Sequence, residues 1–313
     1  MSKKVEKAWL EELRMRVEYQ ESNRLKMIEI RENVLDNEKE LRSLDSTLKK
    51  TTSFMKKIKL LSAAGVPQLI EELNKLNLSK FVEEMASGII ETKLKLSDIP
   101  KVAELCLAIS AKYPNFSEQM AGEFKKVLPI KKSDKIGNMA KLRVDIIFLA
   151  ELCLCGVFNE KEGLQVLGAT LSYLIQTDKT EFINVGLLTT VSRAVGWQIA
   201  KIVPLPAADD VESAEIREDG LPTSSALSNE QKKTIRELFK SYYDALYAKT
   251  EKTCSARNKV MKTVKRQERK RGDAAEEDKT ALLQLQTELD TLRRMVRRIQ
   301  VENEEILDSE SEW

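Results

Sequence analysis

The chain has 313 residues, and 52 Lys and Arg stand against 50 Asp and Glu, so a net charge of +2 supplies no global field for nucleic acid. Histidine is absent, which excludes Ser-His-Asp triads, Cys-His nucleophiles and His-bearing zinc sites. Eleven Gly, seven Pro and one-third charged residues describe an all-helical chain with solvated charged faces.

Residues 1–50 are highly charged and almost free of helix breakers. Leu10, Leu13, Val17, Leu25 and Ile28, then Leu41, Leu44 and Leu48, suit one long helix with a thin apolar stripe that docks on the domain or on a partner, although its first half is expected to be a solvated helical extension. A middle domain follows over residues 51–256. Phe54–Leu61 and Pro67–Leu76 read as short amphipathic helices. Ser79 serves as cap for Lys80–Leu94, with Glu83 and Glu84 complementing the dipole of its first turn. Ser97 or Asp98 opens Ile99–Tyr113, where Pro100 loses no donor in the first turn, and Asn115 opens a helix to about Leu128. After a loop at 129–138 come the helix from Lys141, a helix capped by Asn159 over Glu160–Gln176, and a last one over Glu181–Val203. Short loops between such helices imply antiparallel pairs stacked as a solenoid.

The stretch KLRVDIIFLAELCLCGVF, Lys141–Phe158, is apolar on nearly every side yet holds Arg143, Asp145 and Glu151. At about 100° per residue these three point in divergent directions, and none is three or four residues from another. They cannot satisfy one another, so each is expected to reach water or a partner on a different adjoining helix. Divergent carboxylates cannot converge on one substrate, so all three are assigned structural polar contacts. Cys106, Cys153, Cys155 and Cys254 form no CxxC pair and are expected to be reduced structural thiols in a cytosolic or nuclear setting. There is no P-loop, GxGxxG or metal-spaced cluster, so the expectation is no enzyme, no catalytic residue, no metal and no cofactor. No apolar run approaches the roughly 20 residues of a membrane span.

Residues 204–229 are acidic, carry Pro and Ser without a helical period, and are expected to be a disordered loop. Ser228 then starts a helix whose Ile235, Leu238, Phe239, Tyr242 and Leu246 share a face, so the chain returns to the same domain. Residues 257–313 form a third region. Its basic run Lys262, Lys265, Arg266, Arg269, Lys270 and Arg271, with Arg293, Arg294, Arg297 and Arg298 next, suits weak, sequence-blind RNA binding through phosphates. A solvated helix or nuclear-import signal competes with that reading. Leu282, Leu285, Leu289, Leu292, Val296 and Ile299 follow heptad spacing, with Asn303 at the next core position, and predict a coiled-coil contact with this domain, the N-terminal helix or another chain.

Three ordered segments, LDSTLKKTTSFMKKIKLL, LNLSKFVEEMASGIIETKLKLSDI and KLRVDIIFLAELCLCGVFNEKEGL, carry a family resemblance. The last resembles the signature helix pair of the middle domain of the translation-initiation scaffold four-gamma. Together they are closer to the branch found as the first middle domain of the nonsense-mediated mRNA decay factors called regulator of nonsense transcripts 2. The likeness runs from about Leu41 to Val203 and more weakly over Ser228–Ala256. It implies an armadillo- or HEAT-like right-handed array of helical hairpins with long terminal helices. It also implies a noncatalytic scaffold in mRNA surveillance, with protein partners in decay and exon-junction complexes, acting in the cytoplasm or around and through the nucleus. The helicase and exon-junction contacts of that family lie in other regions of the scaffold, so no residue here inherits them.

Overall fold

A computed structural model describes residues 3–32, 38–131, 133–158, 161–203, 213–216 and 220–298. Twelve α-helices account for most of them: α1 Lys7–Glu32, α2 Glu38–Ser43, α3 Leu48–Ile58, α4 Val66–Lys75, α5 Val82–Glu91, α6 Ile99–Lys112, α7 Phe116–Val127, α8 Met139–Leu154, α9 Glu162–Gln176, α10 Val185–Ala200, α11 Asn229–Arg271 and α12 Glu276–Arg298.

Packing alternates along the chain. Helices α3, α5, α7, α9 and α11 contact one another in sequence as one layer, and α4, α6, α8 and α10 as a second. Each hairpin contributes one helix to each layer, which is how short amphipathic helices bury their apolar stripes. The expected HEAT-like all-α fold is therefore the observed one. One continuous core runs from Met27 and Phe54 to Leu246 and Leu292. Phe124 of α7 meets Phe148 of α8 at 5.9 Å and Phe158 at 6.3 Å, joining the layers at the centre.

Local chemistry sets several boundaries. Asn138 accepts from the amides of Ala140 and Lys141 and opens α8. Ser228 and Gln231 form a reciprocal capping box at the start of α11. Gly163 is fixed by packing, because a Cβ there would stand 2.3 Å from the Phe158 ring.

Three expectations change. The single long N-terminal helix is not what forms: residues 44–47 are non-helical between α2 and α3, which begins only at Leu48, while residues 33–37 lie outside the described part. Asp45 between α2 and α3 bridges to Leu76 at the end of α4, its amide donating to the Lys75 carbonyl. Tertiary pairing there outcompetes helix continuation. The acidic loop is not disordered throughout. Ser213–Ile216 pairs antiparallel with Lys3–Glu6 as a two-stranded ribbon, and Leu221, Ser224 and Leu227 are buried. Residues 204–212 and 217–219 lie outside the described part, as do Asn159 and Glu160, so that expected cap is not described. Third, α11 runs unbroken across the expected division at 256–257 to Arg271.

Candidate binding surfaces

Helix α1 lies across α6 and α8 of the second layer. Its apolar stripe brings Leu10, Leu13 and Val17 into a cluster with Trp197, Val203 and Leu221, so the first half of this segment is packed on the domain and is not the solvated extension expected. At the centre of this seam is Glu151, 1% exposed. Its carboxylate accepts from Arg16 Nη2 at 2.6 Å and Nε at 3.2 Å, and from Gln20 Nε2 at 3.0 and 3.1 Å. Arg16 Nη1 donates in turn to the Ala194 carbonyl on α10 at 2.7 Å. One knot ties α1, α8 and α10. Further along, Arg31 donates to the carbonyls of Gly156 and Val157. Gly156 has φ +79°, and its missing Cβ lets the Arg24 backbone approach within 3.1 Å of that position.

The other two charges of α8 behave differently. Asp145 pairs with Lys141 one turn back on its own helix, at 2.8 Å, and Lys141 also donates to the Ile90 carbonyl of α5. Burial raises the Asp145 carboxyl above its usual value, and the hydrogen bond and charge of Lys141 oppose that rise. Arg143 is half-buried, and its Nε has no hydrogen-bond partner among the described residues. The expectation that each charge reaches water or a partner on a different adjoining helix is met by Glu151, and nothing among the described residues overturns it for part-exposed Arg143. Asp145 is corrected to an intrahelical pair whose lysine makes the cross-link.

Two further knots were not foreseen. Asp178, between α9 and α10, accepts from the amides of Ile183 and Asn184 at 2.9 and 2.6 Å and from the Tyr242 hydroxyl of α11 at 2.5 Å. It organises a turn where buried Phe182 adopts φ 57°, against the Tyr242 ring at 5.3 Å. Burial, then the Asp178 contact, pushes the Tyr242 hydroxyl up, so it stays a donor. Glu21 of α1 accepts from Ser224 Oγ and from the amide and Oγ of Ser225. Burial raises this carboxyl, but the Ser225 and Ser224 bonds outweigh it and hold the value below the usual range. These bonds anchor residues 220–228 to α1.

All four cysteines are free thiols and buried. Burial pushes Cys106 and Cys153 up, and burial together with Glu151 does the same to Cys155, which disfavours the reactive thiolate. Among the described residues no group of three His, Cys, Asp or Glu could hold a metal, and no helix is long and apolar enough to cross a membrane.

The outer end is built otherwise. Helix α12 folds back on α11 after Gly272, with Gln267 donating to Asp278 at 2.7 Å near the turn. Leu289 and Leu292 are buried, Leu282 and Leu285 half-buried, and Val296 packs against the core. The heptad stripe thus meets its own chain; Ile299 and Asn303 lie outside the described residues. Lys262, Lys265, Arg266, Arg269, Lys270 and Arg271 are all exposed on the last turns of α11, and no salt bridge with another described residue involves them.

Comparison with known proteins agrees with this architecture. The MIF4G domain family matches residues 48–265. Regulator of nonsense transcripts 2 is 34% identical over 203 residues in both Mus musculus and Homo sapiens, covering 65% of this chain. The chain spans 16% of those relatives' length. The crystal structure of the first MIF4G domain of human nonsense mediated decay factor UPF2 superposes with a TM-score of 0.75 at 25% identity, covering 93% of both chains.

Proposed function

This chain belongs to the MIF4G domain family and is homologous to regulator of nonsense transcripts 2, and from that premise we propose that it is a noncatalytic scaffold module of nonsense-mediated mRNA decay. It holds together protein components of decay and exon-junction complexes and works in the cytoplasm or in transit through the nucleus. The observation that carries this reading is the use made of its buried charges. Glu151, Asp145 and Asp178 are each engaged by groups of their own chain rather than facing a substrate, Glu151 and Asp178 tying helices together directly and Asp145 holding the Lys141 that reaches α5. A stack so tied presents a rigid surface, which suits a scaffold. Affinity capture of the tagged chain from cells tests it, with tagged full-length regulator of nonsense transcripts 2 in parallel. Recovery of decay or exon-junction proteins by both is expected. Recovery by the full-length protein alone overturns the proposal.

A second reading has its own observation, the six exposed cations at the end of α11 that form no salt bridge with another described residue. On this reading residues 262–271 bind single-stranded RNA through phosphates, without base stacking, since no aromatic residue interleaves them. Fluorescence anisotropy with a labelled RNA at about 50 and 200 mM salt should show binding that collapses with salt. Absence of binding at the lower salt ends this reading.

A further inference from the structure

Where α1 crosses the second layer, a cavity of about 360 Å³ opens above the Arg16–Glu151 knot. Its apolar walls come from Trp9 and Leu13 of α1, Ile99 and Pro100 at the start of α6, and Ile147 of α8. Gln198 of α10 also lines it. That side chain is 2% exposed, and its buried Nε2 donates to nothing among the described residues. A buried amide donor without an acceptor costs about 1–3 kcal/mol, so an unused one in a cavity wall marks a place for an acceptor.

The surrounding groups narrow the acceptor. Arg16 is already committed to Glu151 and the Ala194 carbonyl. The rim carries exposed Arg193 and exposed Glu12, whose charges cancel and select for neither sign. A neutral acceptor, a main-chain carbonyl, fits best. The neighbouring residue shows what kind of backbone this corner accepts. Trp197 Nε1 donates to the Pro222 carbonyl at 2.7 Å, and Leu221 packs in one cluster with Trp197 and Leu13. The protein thus already seats its own Leu-Pro step on one indole. Proline offers carbonyl acceptors and no amide donor, so a surface with a spare donor and aromatic walls suits extended proline-containing segments.

We propose that this cavity binds an extended, uncharged, proline-containing peptide segment of a protein partner. A leucine-sized side chain enters the apolar walls, and a main-chain carbonyl accepts from Gln198 Nε2. The site depends on the scaffold reading only in taking its ligand to be a protein. The two fail separately, because the test below uses this chain and synthetic peptides and no decay factor.

The experiment titrates the full ¹⁵N-labelled chain with the blocked peptide LPALPA, with LGALGA and LDALDA as counterparts. The LPALPA titration should move the indole N–H signals of Trp9 and Trp197 and the side-chain amide of Gln198, with the glycine and acidic peptides at least tenfold weaker. Gln198→Met, which keeps the volume and removes the donor, should weaken LPALPA binding about tenfold, the equivalent of one lost hydrogen bond. If that variant does not fold, Trp9→Ala at the cavity mouth carries the same expectation. The proposal is overturned if LPALPA leaves those signals still, if LGALGA binds equally, if LDALDA binds more tightly, or if the folded variant binds as the natural chain does.

Discussion

Arg16 and Arg266 are the same residue on two long charged helices, and the fold treats them oppositely. Arg16 lies in the α1–α8 seam, shares a carboxylate that is 1% exposed, and also donates to α10. Arg266 stands in solvent near the tip of the α11–α12 hairpin, among like charges. The first has lost its freedom to a structural task. The second keeps its charge available to something else. What separates them is the partner supplied by tertiary packing, since an enclosed ionic group costs several kcal/mol when its partner is removed and a solvated one costs little.

The sharpest way to break the comparison is Glu151→Ala. It leaves Gln20 Nε2 and the Nε and Nη2 of Arg16 without their acceptor, Arg16 keeping only the Ala194 carbonyl, and with Arg16 still 23% exposed the expected loss is about 3 kcal/mol. Thermal unfolding followed by circular dichroism should show the midpoint falling by roughly 4–5 °C for a chain of this size. An unchanged midpoint would mean the seam is not held by this knot.

Tyr242→Phe comes next. It keeps the ring against Phe182 and removes only the hydroxyl that donates to Asp178. Asp178 retains its two backbone donors, so the expected loss is about 1.5 kcal/mol, read in the same melts. A loss as large as that of Glu151→Ala would show that the α9–α11 corner, and not the α1 seam, dominates.

How much of this could be read beforehand follows from the range of each interaction. Helices α3 to α11 announce themselves through apolar periodicity and local signals such as Pro100 and Ser228, which act within one turn. The isolation of Glu151 was legible too, but its partner Arg16 is 135 residues away, and nothing in one sequence links the two. Asp145 is the opposite case. Lys141 sits at the four-residue spacing that makes helix neighbours, so that pair is legible in the sequence itself, outside the set of Arg143, Asp145 and Glu151. The acidic loop misled for a further reason. Composition reports average solvation, while Ser224 and Ser225 are ordered by one carboxylate on α1, some 200 residues earlier.

Asp145→Asn sharpens the comparison through pH. Because burial raises the folded carboxyl above its unfolded value, the folded state binds this proton more tightly. That contribution to stability is fully present below the unfolded value near 3.8 and is lost as pH rises through the folded one. At neutral pH the Asn variant escapes the burial penalty but gives up the charge on Lys141, so the net change should stay within about 1 kcal/mol. On acidification the natural chain should gain relative to the variant. Melts of both proteins at neutral and acidic pH decide it, and a relative loss in acid would mean that Lys141, not burial, governs this carboxyl.

The smallest expected effect on folding comes from the other side of the comparison. Arg266→Ala with Arg269→Ala removes two exposed cations that bridge to no described residue, so the midpoint should move by the equivalent of less than about 0.5 kcal/mol. It should even rise slightly if crowding of like charge on the last turns of α11 exceeds the favourable interaction of those cations with the helix C-terminus. The informative part is the pairing of two readouts. If RNA anisotropy in the same variant loses affinity and a shallower salt slope replaces the original one, those guanidinium groups were free for phosphate. If the melt collapses instead, the hairpin tip is held by its charges just as the α1 seam is, and the distinction between the two arginines disappears.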